Sequence, residues 1–188
     1  MNNLTDLSLI KALYETKFKK SLGQNFLCDQ NVVDKICGLC DFDKSSFVLE
    51  IGSGIGALSY ALCENFKNVL TVEIDSDLVK IVKNTVDKPN HQILKSDFLK
   101  CDIMEIAGNN NVDKINIAGN LPYNISTDII LKLLKNADII NSAVIMVQDD
   151  MAKRFFKGPG SKLYRKINVL LNYYCDMKYG FFVSRNSI

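Results

Sequence analysis

The chain has 188 residues, about one domain at roughly 150 residues per domain, and its composition is 47% hydrophobic and 23% charged. A chain disordered over most of its length is therefore excluded, because disorder goes with fewer apolar residues or a large net charge. The 23 basic and 21 acidic side chains leave a net charge of +2, which neither requires a nucleic-acid partner nor excludes one that binds a local cluster of charge.

The predicted elements alternate along the chain. Residues 1–20 are expected to form an amphipathic, basic arm, and apolar residues at helical spacing then predict a helix over 31–40. Predicted strands occupy 47–51, 69–74, 91–94, 115–118 and 143–147. Predicted helices occupy 57–66, 77–86, 126–134 with Ser126 as its N-cap, a segment ending at Phe156, and 167–174. This alternation predicts an α/β fold with a mostly parallel sheet and helices on both faces, and an aromatic run over 179–183 also has β-strand character.

The cysteines and the N-terminal residues indicate a cytoplasmic protein. The six cysteines are scattered, mostly among apolar neighbours, which fits reduced core thiols better than a secreted disulfide framework. No apolar run approaches the roughly 18 residues of a membrane helix, and residues 1–6 lack the basic and apolar regions of a secretory signal. We therefore expect no membrane partner, and a monomer is the default state.

A metal site is not predicted. His91 is the only histidine, and Cys37 with Cys40 forms a single CxxC pair, whereas a tetrahedral zinc site needs four ligands. A redox pair would begin a helix after a strand, but this pair stands late in a predicted helix. Both cysteines are expected to be small residues of the core.

A glycine-rich turn follows the first predicted strand. It reads Glu50-Ile-Gly-Ser-Gly-Ile-Gly56, and Glu73 ends the next strand about 20 residues later. Gly52 and Gly54 let the backbone turn tightly and pass close to a ligand, and Gly56 lets the helix start against the strand. A carboxylate at this spacing accepts hydrogen bonds from ribose hydroxyls, so the turn and the acid together predict a nucleoside-bearing cofactor.

The glycine pattern alone leaves both NAD and S-adenosylmethionine (SAM) open, because Ala57 also satisfies the dinucleotide form. Glu50 favours SAM, since a carboxylate at the strand end can face the cationic methionine part of that cofactor and would repel a pyrophosphate. Asp97 and Phe98 follow the third strand, where the acid can accept from the exocyclic amine of adenine and the ring can cover the base. Asp97 is equally well explained as a turn cap.

The tetrapeptide Asn120-Leu-Pro-Tyr123 follows the fourth predicted strand. An exocyclic amine on an aromatic base is a poor nucleophile, because its lone pair is delocalised into the ring. The Asn120 amide oxygen and the Leu121 carbonyl can accept both amine hydrogens, and Pro122 fixes the backbone without a competing N–H. Tyr123 can stack on an extruded base. Positioning then directs the nitrogen at the sulfonium methyl, so no histidine is needed for the transfer. An isolated motif of this kind would more simply be interpreted as a polar turn.

These residues resemble the KsgA/RsmA family of ribosomal RNA adenine dimethyltransferases, which also includes the erythromycin-resistance methylases. The resemblance runs from about Lys19 to Arg185 and includes Lys20-Ser-Leu-Gly-Gln-Asn-Phe-Leu27, similar to the opening motif of the family, and Gly158-Pro-Gly-Ser-Lys-Leu-Tyr164, similar to a later loop. It implies a Rossmann-like SAM-dependent methyltransferase domain over 21–188.

The resemblance also implies a cofactor site, a product and a substrate. The product is S-adenosylhomocysteine (SAH). The substrate is a pair of adjacent adenosines in a hairpin loop near the 3′ end of small-subunit ribosomal RNA, each dimethylated during small-subunit biogenesis, so the partner is a 30S-type particle. The large-subunit target of the resistance methylases is an alternative, because the core motifs are shared. With the residues argued above, the expected SAM-binding positions are Gln24, Asn25, Leu27, Glu50, Gly52, Gly54, Glu73, Ile74, Asp97, Phe98 and Asn120.

Six basic residues after the fifth predicted strand are candidates for RNA contact. A basic run is usually a solvated face, but this one flanks the expected substrate side, which favours contact with phosphates. The six are Lys153, Arg154, Lys157, Lys162, Arg165 and Lys166.

Several positions depart from the family pattern. Asp149 and Asp150 stand where the family usually has Lys-Glu, and Arg165 stands where a glycine usually follows Tyr164. A later motif of phenylalanine and prolines and the small helical C-terminal domain of the family are expected to be absent after Ile188. A truncated, non-catalytic module that holds SAM or ribosomal RNA is therefore an alternative. An NAD-dependent oxidoreductase is a further one, although it leaves the tetrapeptide unexplained.

Overall fold

A computed structural model describes residues 26–184 and residue 187 of the chain. The predicted arm over 1–20 and the candidate cofactor residues Gln24 and Asn25 lie outside the described residues.

Five parallel strands form one sheet, in the order β3-β2-β1-β4-β5. They are β1 Phe47–Ile51, β2 Asn68–Glu73, β3 His91–Lys95, β4 Ile115–Asn120 and β5 Ile140–Met146. Glu50 in the central strand pairs in register with Thr71 of β2 on one side and Ala118 of β4 on the other. The strand order changes direction between β1 and β4, which is where open sheets of this kind bind ligands.

Seven α-helices cover both faces of the sheet in the described part of the chain. They are α1 Gln30–Leu39, α2 Ala57–Asn65, α3 Ser76–Thr85, α4 Ile103–Asn109, α5 Ser126–Lys135, α6 Asp149–Phe155 and α7 Lys166–Tyr174. Residues of α1 to α3 pack with Val48 and Val69 in one core cluster, and residues of α4 to α7 pack with Leu49 and Ile117 in the other. Burial on both faces explains why the three inner strands β1, β2 and β4 are largely apolar, whereas the edge strands β3 and β5 are more exposed. The predicted α/β fold is confirmed.

Three details of the predicted elements are wrong. Helix α4 is absent from the prediction, because its seven residues give too short an apolar period. Ser126 is the first residue of α5 and not its N-cap; its hydroxyl donates to the Pro122 carbonyl at 2.5 Å. Residues 179–183 form no strand, since no neighbouring strand pairs with them, and Phe181 and Val183 pack against the core cluster around α1 instead.

Among residues 26–184 and 187, no helix combines the length and the apolar character needed to cross a membrane.

Candidate active site

The carboxyl ends of four neighbouring strands bring the predicted motifs to one edge of the sheet. The glycine turn follows β1, Glu73 ends β2, Asp97 follows β3 and Asn120 ends β4. All the strands are parallel, so these ends share an edge, and β1 and β4 flank the crevice at the change of strand order.

Glu73 is fixed against the glycine turn. Its Oε2 accepts hydrogen bonds from the backbone N–H and the hydroxyl of Ser53, both at 3.0 Å, and its Oε1 accepts from the Asp75 N–H at 2.9 Å. The side chain is buried. Three donors hold the carboxylate in one orientation at the position predicted for a ribose-binding acid. Ser53 is not among the predicted site residues, because the motif specifies only the glycines around it.

The glycine turn lies close to the tetrapeptide. Gly52 has φ 77°, a conformation that favours glycine, and a Cβ built there would lie 3.9 Å from the Asn120 carbonyl oxygen. Gly54 has φ 52°, and a Cβ there would lie 3.2 Å from Cδ1 of the buried Phe26 ring. The Phe26 ring therefore packs against the turn at Gly54. It stands in the predicted opening motif, but an apolar residue there cannot be told from an ordinary core residue by sequence.

Glu50 is a fully buried carboxylate in the middle of the sheet. Its Oε2 accepts from the Ser59 hydroxyl at 2.5 Å and from the Thr71 hydroxyl at 2.7 Å, and Thr71 is also 2.9 Å from His91 Nε2. Its Oε1 is buried and accepts no hydrogen bond from the described residues. The pKa of Glu50 is raised to about 7, mainly because burial disfavours the charged form; the bonds from the two hydroxyls oppose this shift, and the neighbouring Glu73 adds to it. A cationic donor at Oε1 would satisfy this oxygen and favour the ionised form.

The candidate residues around the adenine follow β3 and β2. Asp97 Oδ1 accepts from the Leu99 N–H at 3.0 Å, so Asp97 is the turn cap that the sequence allows as an alternative. The Phe98 ring is buried in the core cluster that contains Leu49 and Ile117. Ile74 has 54% of its surface exposed, directly after Glu73. An exposed isoleucine at this edge is an apolar surface available to a flat base.

The tetrapeptide Asn120–Tyr123 is held by the protein at Leu121, and its last residue, Tyr123, is exposed to solvent. The Leu121 N–H donates to the Met146 carbonyl at 3.0 Å and its side chain is buried, whereas Tyr123 has 59% of its surface exposed. The Pro122 carbonyl accepts from the Ser126 hydroxyl at the start of α5. The backbone is therefore held by β5 and α5, and the Tyr123 ring is left accessible to a partner from solution.

The basic candidates lie on α6, on the first residue of α7 and in the loop between these helices. Lys153 forms an ion pair with Asp149 at 2.5 Å, and Arg165 Nη1 donates to the Lys162 carbonyl at 2.6 Å. Arg154 is half-buried, and its Nε has no hydrogen-bond partner among the described residues. Three exposed lysines make no ion pair in the described part of the chain: Lys157, Lys162 and Lys166.

Two other predictions concern residues near the core. Leu27 is buried in the cluster around α1. Cys37 is half-buried on α1 and Cys40 is buried at its end, and burial raises the pKa of both thiols to about 12. Thiols with so high a pKa are poor nucleophiles and poor metal ligands at neutral pH, and no described group of three or more such side chains is placed to hold a metal ion.

The described residues fit SAM. A fixed carboxylate at Glu73 suits ribose hydroxyls, the glycine turn leaves space beside Asn120, and the buried Oε1 of Glu50 lacks a donor that an ammonium group would supply. A pyrophosphate has no comparable match, because Glu50 would repel it.

The sheet order, the glycine turn and the fixed acid define a Rossmann-like domain of the methyltransferase class. The fold is similar to the crystal structure of a dimethyladenosine transferase from Plasmodium falciparum, with a TM-score of 0.73 and 28% identity over 84% of this chain and 56% of that one. It is also similar to the 23S rRNA methyltransferase ErmE, with a TM-score of 0.62 and 27% identity over 69% of this chain and 50% of that one.

Sequence comparison then gives the family. The model of the ribosomal RNA adenine dimethylase family matches residues 15–185, and the chain belongs to this family. The ribosomal RNA small subunit methyltransferase A of Francisella tularensis subsp. novicida is 42% identical over 164 residues, which are 87% of this chain and 62% of that protein. That of Alkaliphilus metalliredigens is 36% identical over 94% of this chain and 63% of that protein. The chain thus spans about three fifths of the length of these relatives.

Proposed function

We propose that the chain is a SAM-dependent methyltransferase that dimethylates the N6 amine of two adjacent adenosines in the 3′-terminal hairpin loop of small-subunit ribosomal RNA. Its partner is then a 30S-type particle in the cytoplasm, and it acts as a monomer. The observation that carries the proposal is the junction of two sites at one sheet edge. Gly52, in the cofactor turn, lies beside the Asn120 carbonyl, in the tetrapeptide that recognises the amine.

The cofactor half of the site is built from fixed groups. Glu73 is oriented to receive ribose hydroxyls by its bonds from Ser53 and Asp75, and Glu50 offers a buried oxygen to a cationic group. Ile74 and the turn at Asp97 border the position of the adenine. When bound, SAM supplies an electrophilic methyl group on a sulfonium and leaves as SAH.

The target half of the site activates a weak nucleophile by geometry. The Asn120 amide oxygen and the Leu121 carbonyl accept the two hydrogens of the adenosine amine, which turns its lone pair out of conjugation. Tyr123 is exposed and stacks on the extruded base. Alignment of the nitrogen then accounts for the rate, since no general base is required until the product ammonium releases its proton.

The charge distribution supports an RNA substrate. Lys157, Lys162 and Lys166 are exposed and carry positive charge that no described carboxylate neutralises. Phosphate contacts position an RNA, while the unpaired bases of a loop can be splayed out onto aromatic residues such as Tyr123. The names of the curated relatives favour a small-subunit target, since they are 36–42% identical and the 23S rRNA methyltransferase is 27% identical.

A second candidate function follows from the length of the chain relative to its relatives. A chain that spans about three fifths of those proteins can retain SAM or RNA binding without turnover. In that case the chain is a binding module that assists assembly of the small subunit.

One experiment separates these two functions. The purified chain and its Asn120→Ala variant are incubated with labelled SAM and small subunits that lack the adenosine methylation. We expect label in the 3′-terminal hairpin with the unsubstituted chain, and a loss of at least about 100-fold in rate with the variant, because one of two amine acceptors is removed. Binding of both SAM and particles without transfer would establish the binding module, and an unimpaired variant would contradict the proposed mechanism.

A further inference from the structure

We propose that Lys132 is a positioning residue of the cofactor site, which ties helix α5 to the turn that carries Asp97 and Phe98. The inference rests on the proposed function, because it assigns that turn to the adenine of SAM. Lys132 lies on α5, outside every motif that the sequence singles out.

The Lys132 ammonium is bonded to the turn at its closing end. Its Nζ donates to the Leu99 carbonyl at 3.1 Å and to the Cys101 carbonyl at 2.5 Å. It also lies 5.8 Å from the centroid of the Phe98 ring. Carbonyls at the end of a short helical turn lack partners within the turn, and an ammonium group with three donors satisfies two of them here.

The opening end of the same turn is fixed by Asp97. Its Oδ1 accepts from the Leu99 N–H at 3.0 Å, and its backbone carbonyl accepts from the Cys101 thiol at 3.4 Å. The turn is therefore clamped at both ends, by its own aspartate and by a lysine from 33 residues further along the chain.

The helix that carries Lys132 also fixes the tetrapeptide. Helix α5 begins at Ser126, whose hydroxyl donates to the Pro122 carbonyl, and Ile129 and Ile130 anchor it in the core. Lys132 lies less than two helical turns beyond Ser126. One rigid helix thus connects the adenine turn to the residues that hold the target amine, and no described carboxylate competes for the Lys132 ammonium.

The test is calorimetric titration with SAH of the full chain and of three variants. Lys132→Met removes both hydrogen bonds and retains the apolar stem, Lys132→Arg retains donors and charge, and Lys135→Met is a matched control on an exposed position of the same helix. We expect the Kd of Lys132→Met to rise about tenfold or more, since two charge-assisted hydrogen bonds hold the turn. Lys132→Arg should restore most of the affinity, and the control should bind SAH as the unsubstituted chain does.

A base-modified ligand separates positioning from general stability. S-inosylhomocysteine has an oxygen in place of the exocyclic amine, so the ratio of its Kd to that of SAH reports how well the site reads adenine. We expect Lys132→Met to reduce this ratio, whereas general loosening of the fold would weaken both ligands equally and overturn the inference. Should Lys132→Met not fold, Lys132→Gln carries the same comparison. SAH affinity that is unchanged in Lys132→Met, or in Lys132→Gln where that variant is used, would overturn the inference alone. Absence of SAH binding by the unsubstituted chain would overturn the proposed function with it.

Discussion

Glu50 shows how one buried side chain joins folding to cofactor binding. The carboxylate is fully buried, two hydroxyls bind one of its oxygens, and the other oxygen has no donor among the described residues. The groups that face it are Glu73 from β2, His91 through Thr71, and the thiols of Cys37 and Cys63, on which Glu50 exerts an electrostatic effect. None of these is a cation that holds Glu50 ionised without a ligand, since burial lowers the pKa of His91.

This arrangement predicts how the stability of the ligand-free chain depends on pH. Burial raises the pKa of Glu50 from 4.5 to about 7, so in this window the folded chain holds a proton that the unfolded chain releases. The contribution of Glu50 to the free energy of unfolding therefore falls as pH rises through the window, by up to about 1.4 kcal/mol per pH unit. It levels off above the folded pKa.

The Glu50→Gln variant isolates this effect, because glutamine has nearly the same shape and no charge. We expect denaturant unfolding between pH 5 and pH 8 to show the unsubstituted chain losing stability relative to the variant as pH rises. Two curves that remain parallel over this range would contradict the assignment to Glu50.

The sequence predicts the position of the residues that a motif specifies, but it does not predict the side chains that hydrogen-bond to those residues and hold them in place. Glu73 and Asn120 are predictable, because strand ends and glycine spacing place them at one edge of the sheet. The bonds from Ser53 to Glu73 and from Lys132 to the turn at Asp97 are not, since they depend on side-chain directions and on contacts between distant segments. The sequence allows two roles for Asp97. Its Oδ1 makes the capping bond to the Leu99 N–H, and its Oδ2 lies 4.0 Å from the Lys100 ammonium.

At the scale of elements, the turn between β1 and α2 depends on one backbone conformation. Gly56 caps α2 with φ 94°, and a Cβ there would lie 3.0 Å from Cγ2 of Val86. An alanine at this position would be strained by the left-handed backbone conformation, and its Cβ would lie too close to Val86.

We therefore expect Gly56→Ala to lower the free energy of unfolding by about 1–3 kcal/mol. Gly108→Ala is the matched control, because Gly108 lies in helix α4 with no atom near the position of its Cβ, and alanine has the higher helix propensity. Denaturant titration of the two variants measures both values. Equal free energies of unfolding for Gly56→Ala and Gly108→Ala would show that neither the left-handed conformation nor the contact with Val86 restricts position 56.

The elements themselves are largely predictable, with informative exceptions. The inner strands β1, β2 and β4 are short, largely apolar runs with a glycine or an acid at or next to their ends, and all five strands lie within three residues of their predicted bounds. Helix α4 escapes prediction although Asp102 caps it by accepting from the N–H groups of Met104 and Glu105, a pattern that is readable in sequence. The prediction of β character over 179–183 is wrong because strand propensity does not form a strand without a neighbouring edge.

At the scale of the whole molecule, the net charge is only +2, but the positive charges are unevenly distributed along the chain. The exposed lysines Lys157, Lys162 and Lys166 lie together in sequence after β5. Three exposed lysines at the opposite, amino edge of the sheet are suitable controls, since they precede β1, β2 and β4: Lys44, Lys67 and Lys114.

Replacing Lys157, Lys162 and Lys166 together by glutamine should weaken binding to a small-subunit RNA hairpin. It should also reduce the slope of log Kd against log salt by about 2, because each lysine that neutralises a phosphate of single-stranded RNA contributes roughly 0.7 to that slope. The corresponding triple variant of the amino-edge lysines should leave the slope unchanged. Filter binding over a range of salt concentrations measures both. Equal slopes in the two triple variants would show that the cluster after β5 does not contact RNA.

The proposed function depends first on SAM binding at the sheet edge between β1 and β4, and calorimetric titration of the purified chain with SAM measures this binding without an RNA substrate. The chain, its Glu73→Ala variant and a parallel titration with NAD suffice. We expect SAM binding in the micromolar range, weakened at least about tenfold in Glu73→Ala because the ribose acceptor is removed, and no binding of NAD. Failure of the folded chain to bind SAM, or tight binding of NAD in its place, would contradict the assignment of this edge to SAM.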